Sequence, residues 1–219
     1  MKLKSMDISA TASASSIVFD ALRKAIVEGE LAEGEPLRQD EIARLFNTSR
    51  IPVREAISRL EEQGLVKTQR YKGAIVAGLS PKETAEVFDL RALIEPEIMR
   101  DAVPRMSKDL LTQAREKCVA FASCTEPMAY GDLNRAFHET LYSASDLKFF
   151  QDVANNAIDR VERQIRAQLV MSNGMERAGR EHFAILDACE KGDANLASEL
   201  TRAHIEGAKE SLLEHLKNV

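Results

Sequence analysis

At 219 residues, with 30 Lys and Arg against 35 Asp and Glu and a net charge of −5, the chain has room for two domains and is not a generally basic protein. Residues 1–78 hold 12 basic against 11 acidic side chains and residues 79–219 hold 18 against 24, so any affinity for nucleic acid must be local. Three cysteines without a C-x-x-C pair exclude a disulfide framework and a cysteine zinc site, and no run approaches the roughly 18 apolar residues that cross a bilayer. The lysines near the N-terminus have no apolar stretch behind them, so the chain is expected in the cytoplasm, away from membrane, with residues 1 to about 13 as a loose arm.

The first predicted helix runs from Ser16 to Ile26, with Ile17, Leu22 and Ile26 as candidate core residues, and Gly29 and Gly34 bracket the loop after it. From Pro36 to Val66 the sequence reads as helix, tight turn, helix. Ile42, Leu45 and Phe46 form one apolar stripe, and Val53, Ile57 and Leu60 form another, so the two helices can share a core. Asn47 and Thr48 make the break. Ser49 is placed to cap the second helix with its hydroxyl, Pro52 is tolerated in the first turn, and Gly64 stops the helix.

The face left over carries the chemistry. Arg50 and Arg54 are four apart, near the N-terminus of the second helix and away from its apolar stripe, where arginine can reach guanine O6 and N7 with both arms. Lys67, Arg70 and Lys72 follow in two short strands, Leu65 to Gln69 and Ala74 to Val76, joined by a turn at Tyr71 to Gly73 in which Gly73 takes a positive φ. Helix, turn, helix and basic hairpin in this order make double-stranded DNA the expected partner; the alternative is a plain helical domain with surface arginines.

The run Gly34-Glu35-Pro36-Leu37, Glu41-Ile42-Ala43, Ser49-Arg50-Ile51-Pro52-Val53-Arg54-Glu55-Ala56, Leu60, Gly64-Leu65-Val66 and Gly73 resembles the winged-helix domain of GntR-family bacterial transcription regulators, over about residues 14 to 78. That resemblance implies DNA contacts from Arg50, Arg54 and Gly73, and from Arg38 to phosphate. Where some members carry an arginine, this chain has Asp40.

Ser80-Pro81-Lys82-Glu83 combines a capping serine, a proline at the first helical position and a glutamate at the third, which marks a new helix and a domain boundary near Gly78 to Ser80. Six helices are predicted beyond it, over 81–103, 108–123, 127–144, 147–171, 175–191 and 194–217, with stops at Pro104, Thr125-Glu126-Pro127, Ser145-Asp146, Ser172-Asn173-Gly174 and Gly192-Asp193. Pro96 should kink the first of these. The expected fold is mainly α: a winged helix-turn-helix domain over 14–78 with a small β-hairpin wing, then an all-α six-helix bundle over 80–219.

All four histidines fall in the helical part. Asn134 and His138 share one helical face at i and i+4, and His182 and His204 lie on two later helices that can bring their rings to the same interior point, a donor set suited to a metal. His215 is read as a surface residue. Asn134-Arg135-Ala136-Phe137-His138, Glu181 through Ala188 with Gly192-Asp193, and Ala203-His204-Ile205 resemble the signature stretches of the FCD domain of FadR-type GntR regulators; Arg91, Leu93 and Glu95 match a motif on its first helix. Members commonly bind a divalent metal through an Asp or Asn and three His at these positions.

Three imidazoles and the neutral Asn134 amide leave the charge of a divalent ion uncompensated, which favours an anionic ligand. The expected effector is a small carboxylate, with Arg91 and Arg163 as candidates for a bidentate pair and zinc, nickel or a similar metal as cofactor. The function implied is a ligand-responsive repressor that reads an inverted repeat as a homodimer. Two alternatives stand beside it: a regulator for which the metal itself is the signal, and a metal-dependent enzyme with an appended DNA-binding domain.

Overall fold

The computed structural model describes residues 13–171 and 174–217 of the chain. The expected loose arm and the Ser172-Asn173 break therefore lie outside the described residues, apart from Ser13. The chain divides into two compact units between Gly78 and Leu79.

In the first unit α1 (Ala14–Val27) begins at Ser13, whose hydroxyl accepts the Ser16 N–H at 3.1 Å. Its buried face is Val18, Phe19, Leu22 and Ile26, while Ile17, expected in the core, is 52% exposed. The spacing 18, 22, 26 repeats every turn; Ile17 lies one residue, about 100°, off that stripe. Next, α2 (Gln39–Leu45) and α3 (Arg50–Glu62) flank a turn in which Asn47 adopts φ +47°. Ile42 is buried and Phe46 half-buried, but Leu45 is 80% exposed, because a seven-residue helix has one narrow buried side and Ala43 takes that place instead.

Val53, Ala56, Ile57 and Leu60 of α3 close the core with α1. Gln63 ends α3 and Gly64 follows at φ +72°, the left-handed stop expected there. Strands β1 (Val66–Gln69) and β2 (Gly73–Val76) pair antiparallel, with Val66 opposite Val76. The segment before α2 adds a third line to this hairpin: Leu37 N–H donates to Ala74 O at 2.8 Å and Val76 N–H to Glu35 O at 2.9 Å. That pairing fixes the wing to the start of the helix-turn-helix.

The second unit is all helical among the described residues: α4 (Pro81–Ala102), α5 (Lys108–Ser123), α6 (Tyr130–Tyr142), α7 (Lys148–Met171), α8 (Gly174–Glu190) and α9 (Ala194–Lys217). The Ser80 and Glu83 side chains form the capping box expected at its start, and Ser107 caps α5. Pro127 opens a short 3-10 turn rather than α6 itself. α4 continues through Pro96. A proline lacks the N–H that would bond Ala92 O, and Arg202 of α9 donates to that carbonyl at 2.6 Å instead. Two apolar clusters fill the bundle, one around Ile98, Met99, Phe137, Leu141 and Ile185, the other around Phe88, Phe121, Val161, Ile165 and Ile205. No helix among the described residues is long and apolar enough to cross a membrane.

Candidate DNA interface and metal centre

At the start of α3 the backbone of Ser49 is extended (φ −86°, ψ 170°), as a cap residue requires, yet its hydroxyl makes no cap hydrogen bond. The expectation of a hydroxyl cap is corrected, and the sequence holds part of the reason. A capping side chain accepts from the second or third helical N–H, and one of these two is missing here because the third residue is Pro52, which leaves the N–H of Ile51 alone. The exposed Ser49 hydroxyl and the first-turn N–H groups of α3 are thus left for an external acceptor such as phosphate.

Arg50 and Arg54 are both exposed. The Arg50 Nε pairs with Asp40 Oδ1 at the start of α2. Arg38, the N-cap residue of α2, pairs with Glu41 at 3.1 Å. Among the described residues Arg54 has no such acidic partner. On the wing, Lys72 is exposed and Gly73 holds φ +73°, with nothing within 4 Å of where a Cβ would stand. A side chain at Gly73 would be disfavoured by its backbone and not by its surroundings. Tyr71, φ +68° and 91% exposed, stands at the wing tip beneath the Arg70 guanidinium, 4.8 Å from the ring centroid.

In the helical unit α6, α8 and α9 bring His138, His182 and His204 together. One nitrogen from each lies within 4.8 Å of the others, and the ring centroids are 4.9 to 5.1 Å apart. Phe121 and Phe137 pack on the His182 ring, at 4.6 and 4.4 Å. His138 and His182 are fully or nearly fully buried, and among the described residues neither nitrogen of either ring finds a hydrogen-bond partner. Each orphaned nitrogen costs about 1–3 kcal/mol, and a cation coordinated by one nitrogen of each ring offsets that cost at two of the four. Desolvation, then the neighbouring histidines, drives the basicity of both rings well below the ordinary histidine value, with Arg91 adding to the effect at His138. Both rings stay neutral, with lone pairs available. The trio therefore fits a divalent metal.

His204 Nδ1 lies 2.7 Å from Glu181 Oε2. A carboxylate only accepts, so Nδ1 carries the hydrogen of this pair and Nε2 is the nitrogen that could face a metal. Asn134, 8% exposed, shares with His204 the lining of a cavity of about 20 Å³, together with Arg91, Gln168 and Arg177. Arg91 is buried, its Nε donating to the fully buried Glu95 at 2.6 Å, and Tyr142 OH donates to the other Glu95 oxygen at 2.8 Å.

Arg163 is not brought to this cavity. Ile165, Gln168 and Leu169 are the α7 residues that line it, and Arg163, two residues before Ile165, lies about 200° round the helix from it. Arg177 and Gln168 went unread in the sequence, and Glu181, expected to point away from the histidines along its helix, instead meets His204. The signal for Arg177 and Glu181 was their i, i+4 spacing beside the Ala178–His182 face of the same helix. The side chain of His215 lies outside those described.

A profile described as "Bacterial regulatory proteins, gntR family" matches residues 14–76, and one described as "FCD domain" matches residues 86–207, more than half of the chain. The chain belongs to the GntR family, FCD type. It is 26% identical over 198 residues to the HTH-type transcriptional repressor RspR of Escherichia coli K12, covering 89% of this chain and 87% of that one. A solved GntR-family regulator from Pseudomonas syringae pv. tomato is 30% identical, with a TM-score of 0.56 over 93% of this chain and 86% of its own. E. coli McbR/YncC, 17% identical, shares the fold at a TM-score of 0.82 over 94% of this chain and the whole of that one. This GntR-family protein is thus a DNA-binding transcription regulator and not an enzyme, which sets aside the metal-enzyme reading. Glu181, the acidic residue beside the histidines, holds His204 and is not free to serve as a base.

Proposed function

We propose that this regulator is a repressor that binds an inverted-repeat operator as a homodimer and releases it when a small carboxylate enters the helical domain beside a divalent metal. The observation that carries the proposal is the buried His138, His182 and His204 trio next to a polar cavity that also holds Arg91. Asn134 and the three histidines hold the metal, which when bound supplies a Lewis-acidic positive centre for a carboxylate oxygen. Arg91 and Arg177, paired with Glu95 and Glu181, line the cavity wall with guanidinium donors, and the neutral Asn134 leaves the metal's charge for the anion to balance.

A cavity of about 20 Å³ has room for about one water, so a carboxylate enters only as lining side chains move. That movement is what differential binding between two conformations requires. The repressor direction follows RspR, which is named a repressor. Dimerisation follows from the short recognition helix: α3 exposes only two arginines near its N-terminus, too few contacts to select one site in a genome.

The test is an operator selected from random DNA, followed by titration of small mono- and dicarboxylates against the protein–DNA complex, with metal present and after chelation. One compound class should weaken operator binding by about 5- to 150-fold, and only with metal present. If every compound that binds the helical domain left operator affinity unchanged, the proposed coupling would be wrong.

A further inference from the structure

We infer that Asp40 is a specificity-determining residue of the DNA interface: it holds Arg50 by one edge of its guanidinium, so that the opposite edge is presented to a guanine. The inference rests on the reading that Arg50 meets bases. Asp40 lies in the first turn of α2 and Arg50 is the first residue of α3, so the contact spans the turn of the helix-turn-helix.

The atoms involved matter. Asp40 Oδ1 meets Arg50 at Nε, the edge nearest the stem. A guanidinium has five donors in a rigid plane, and holding it at Nε leaves the two terminal nitrogens as a fork whose spacing matches guanine O6 and N7. An unheld arginine sweeps between bases and phosphates; a held one loses less rotamer freedom on binding and offers that fork in one direction.

The structural alternatives explain less. Both side chains are largely exposed, at 69% and 58%, so the pair adds little to folding stability. An acid in the first turn favours the helix N-terminus, but Glu41 already supplies one, and it pairs on its own side with Arg38. Asp40 instead carries negative charge next to an arginine expected to face a polyanion. Such a charge lowers affinity for phosphate everywhere and is useful only if it sharpens the choice of base. Arg54, without an acidic partner among the described residues, is the contrast: it is free to move between base and phosphate.

The experiment uses the full chain and selection from randomised DNA, with salt-dependent binding to the selected site and to unrelated DNA, for the natural protein, Asp40→Asn and Arg50→Ala. The natural protein should require guanine at one position of each half-site, and Arg50→Ala should lose that requirement. Asp40→Asn should relax it about tenfold while binding unrelated DNA more tightly, with circular dichroism and thermal unfolding unchanged. Retained guanine preference and unchanged non-specific affinity in Asp40→Asn would overturn the inference. If Arg50→Ala itself kept the preference, the underlying reading of Arg50 would fall first, and the two failures are told apart by that variant.

Discussion

Replacing Glu181 by Gln tests the metal centre without touching a ligand. Glu181 is about one-third exposed, and its Oε2 accepts from His204 Nδ1 at 2.7 Å, while its other oxygen lies 3.5 Å from Arg177 Nε. Gln keeps the size and one acceptor but removes the charge that polarises the imidazole and fixes its tautomer. Removing a carboxylate that holds the far nitrogen of a ligating histidine costs about 10- to 100-fold in metal affinity, or roughly 1.4–2.7 kcal/mol. The consequence for stability follows by linkage. With free metal at a thousand times its dissociation constant, binding stabilises the fold by about 4.1 kcal/mol, and a tenfold loss of affinity at the same metal concentration reduces this to about 2.7 kcal/mol. Competition against a chromophoric chelator gives the affinity, and thermal unfolding with and without metal gives the stabilisation. A His182→Ala variant serves as the reference for loss of a ligand and should abolish metal uptake while sparing basal DNA binding. If Glu181→Gln matched the natural protein in affinity, the Glu181 charge would play no part in metal binding through His204 and that part of the account would fall.

Arg54→Ala should weaken binding to the selected operator by about 1–3 kcal/mol with the unfolding midpoint unchanged, measured by fluorescence anisotropy; undiminished affinity would remove Arg54 from the interface. Phe137→Ala should destabilise the helical domain by about 3–5 kcal/mol, because the ring is fully buried and packs 4.4 Å from the His182 ring, and a urea midpoint that did not move would contradict that packing. Ser80→Ala removes the capping box at the start of α4 and should cost about 1 kcal/mol in the same assay, with no change in operator sequence preference.

Much of the architecture was legible because its punctuation is chemical. Ser80-Pro81-Lys82-Glu83 and Gly192 mark helix ends by hydrogen bonding or by backbone conformation, and the six predicted helices of the second unit end within a few residues of the observed ones. Periodicity was weaker where helices are short or apolar on several sides. Ile17 and Leu45 fit a stripe on paper, but only packing against α3 and α1 decides which neighbouring position turns inward.

The site divides in the same way. The histidines share a pattern that survives in one dimension, since Asn134 and His138 are one turn apart and His182 and His204 fall on two later helices. Glu181, Arg177 and Gln168 acquire meaning only when α7, α8 and α9 converge, and Arg163 lost its place because two residues on a helix are more than half a turn. Ser49 is a different case. It makes no hydroxyl cap, and Pro52 three residues on removes one of the two N–H groups such a cap can use, a conflict visible in the sequence between two rules each sound alone.

The most direct measurement is elemental analysis of the purified protein, combined with native mass spectrometry of the intact species. The expected result is a dimer carrying one divalent metal per subunit, with a small carboxylic acid retained on part of the population. A chain free of metal that takes up none of zinc, nickel or manganese would contradict the metal-assisted sensor, leaving the helix-turn-helix half of the protein to be explained by another signal.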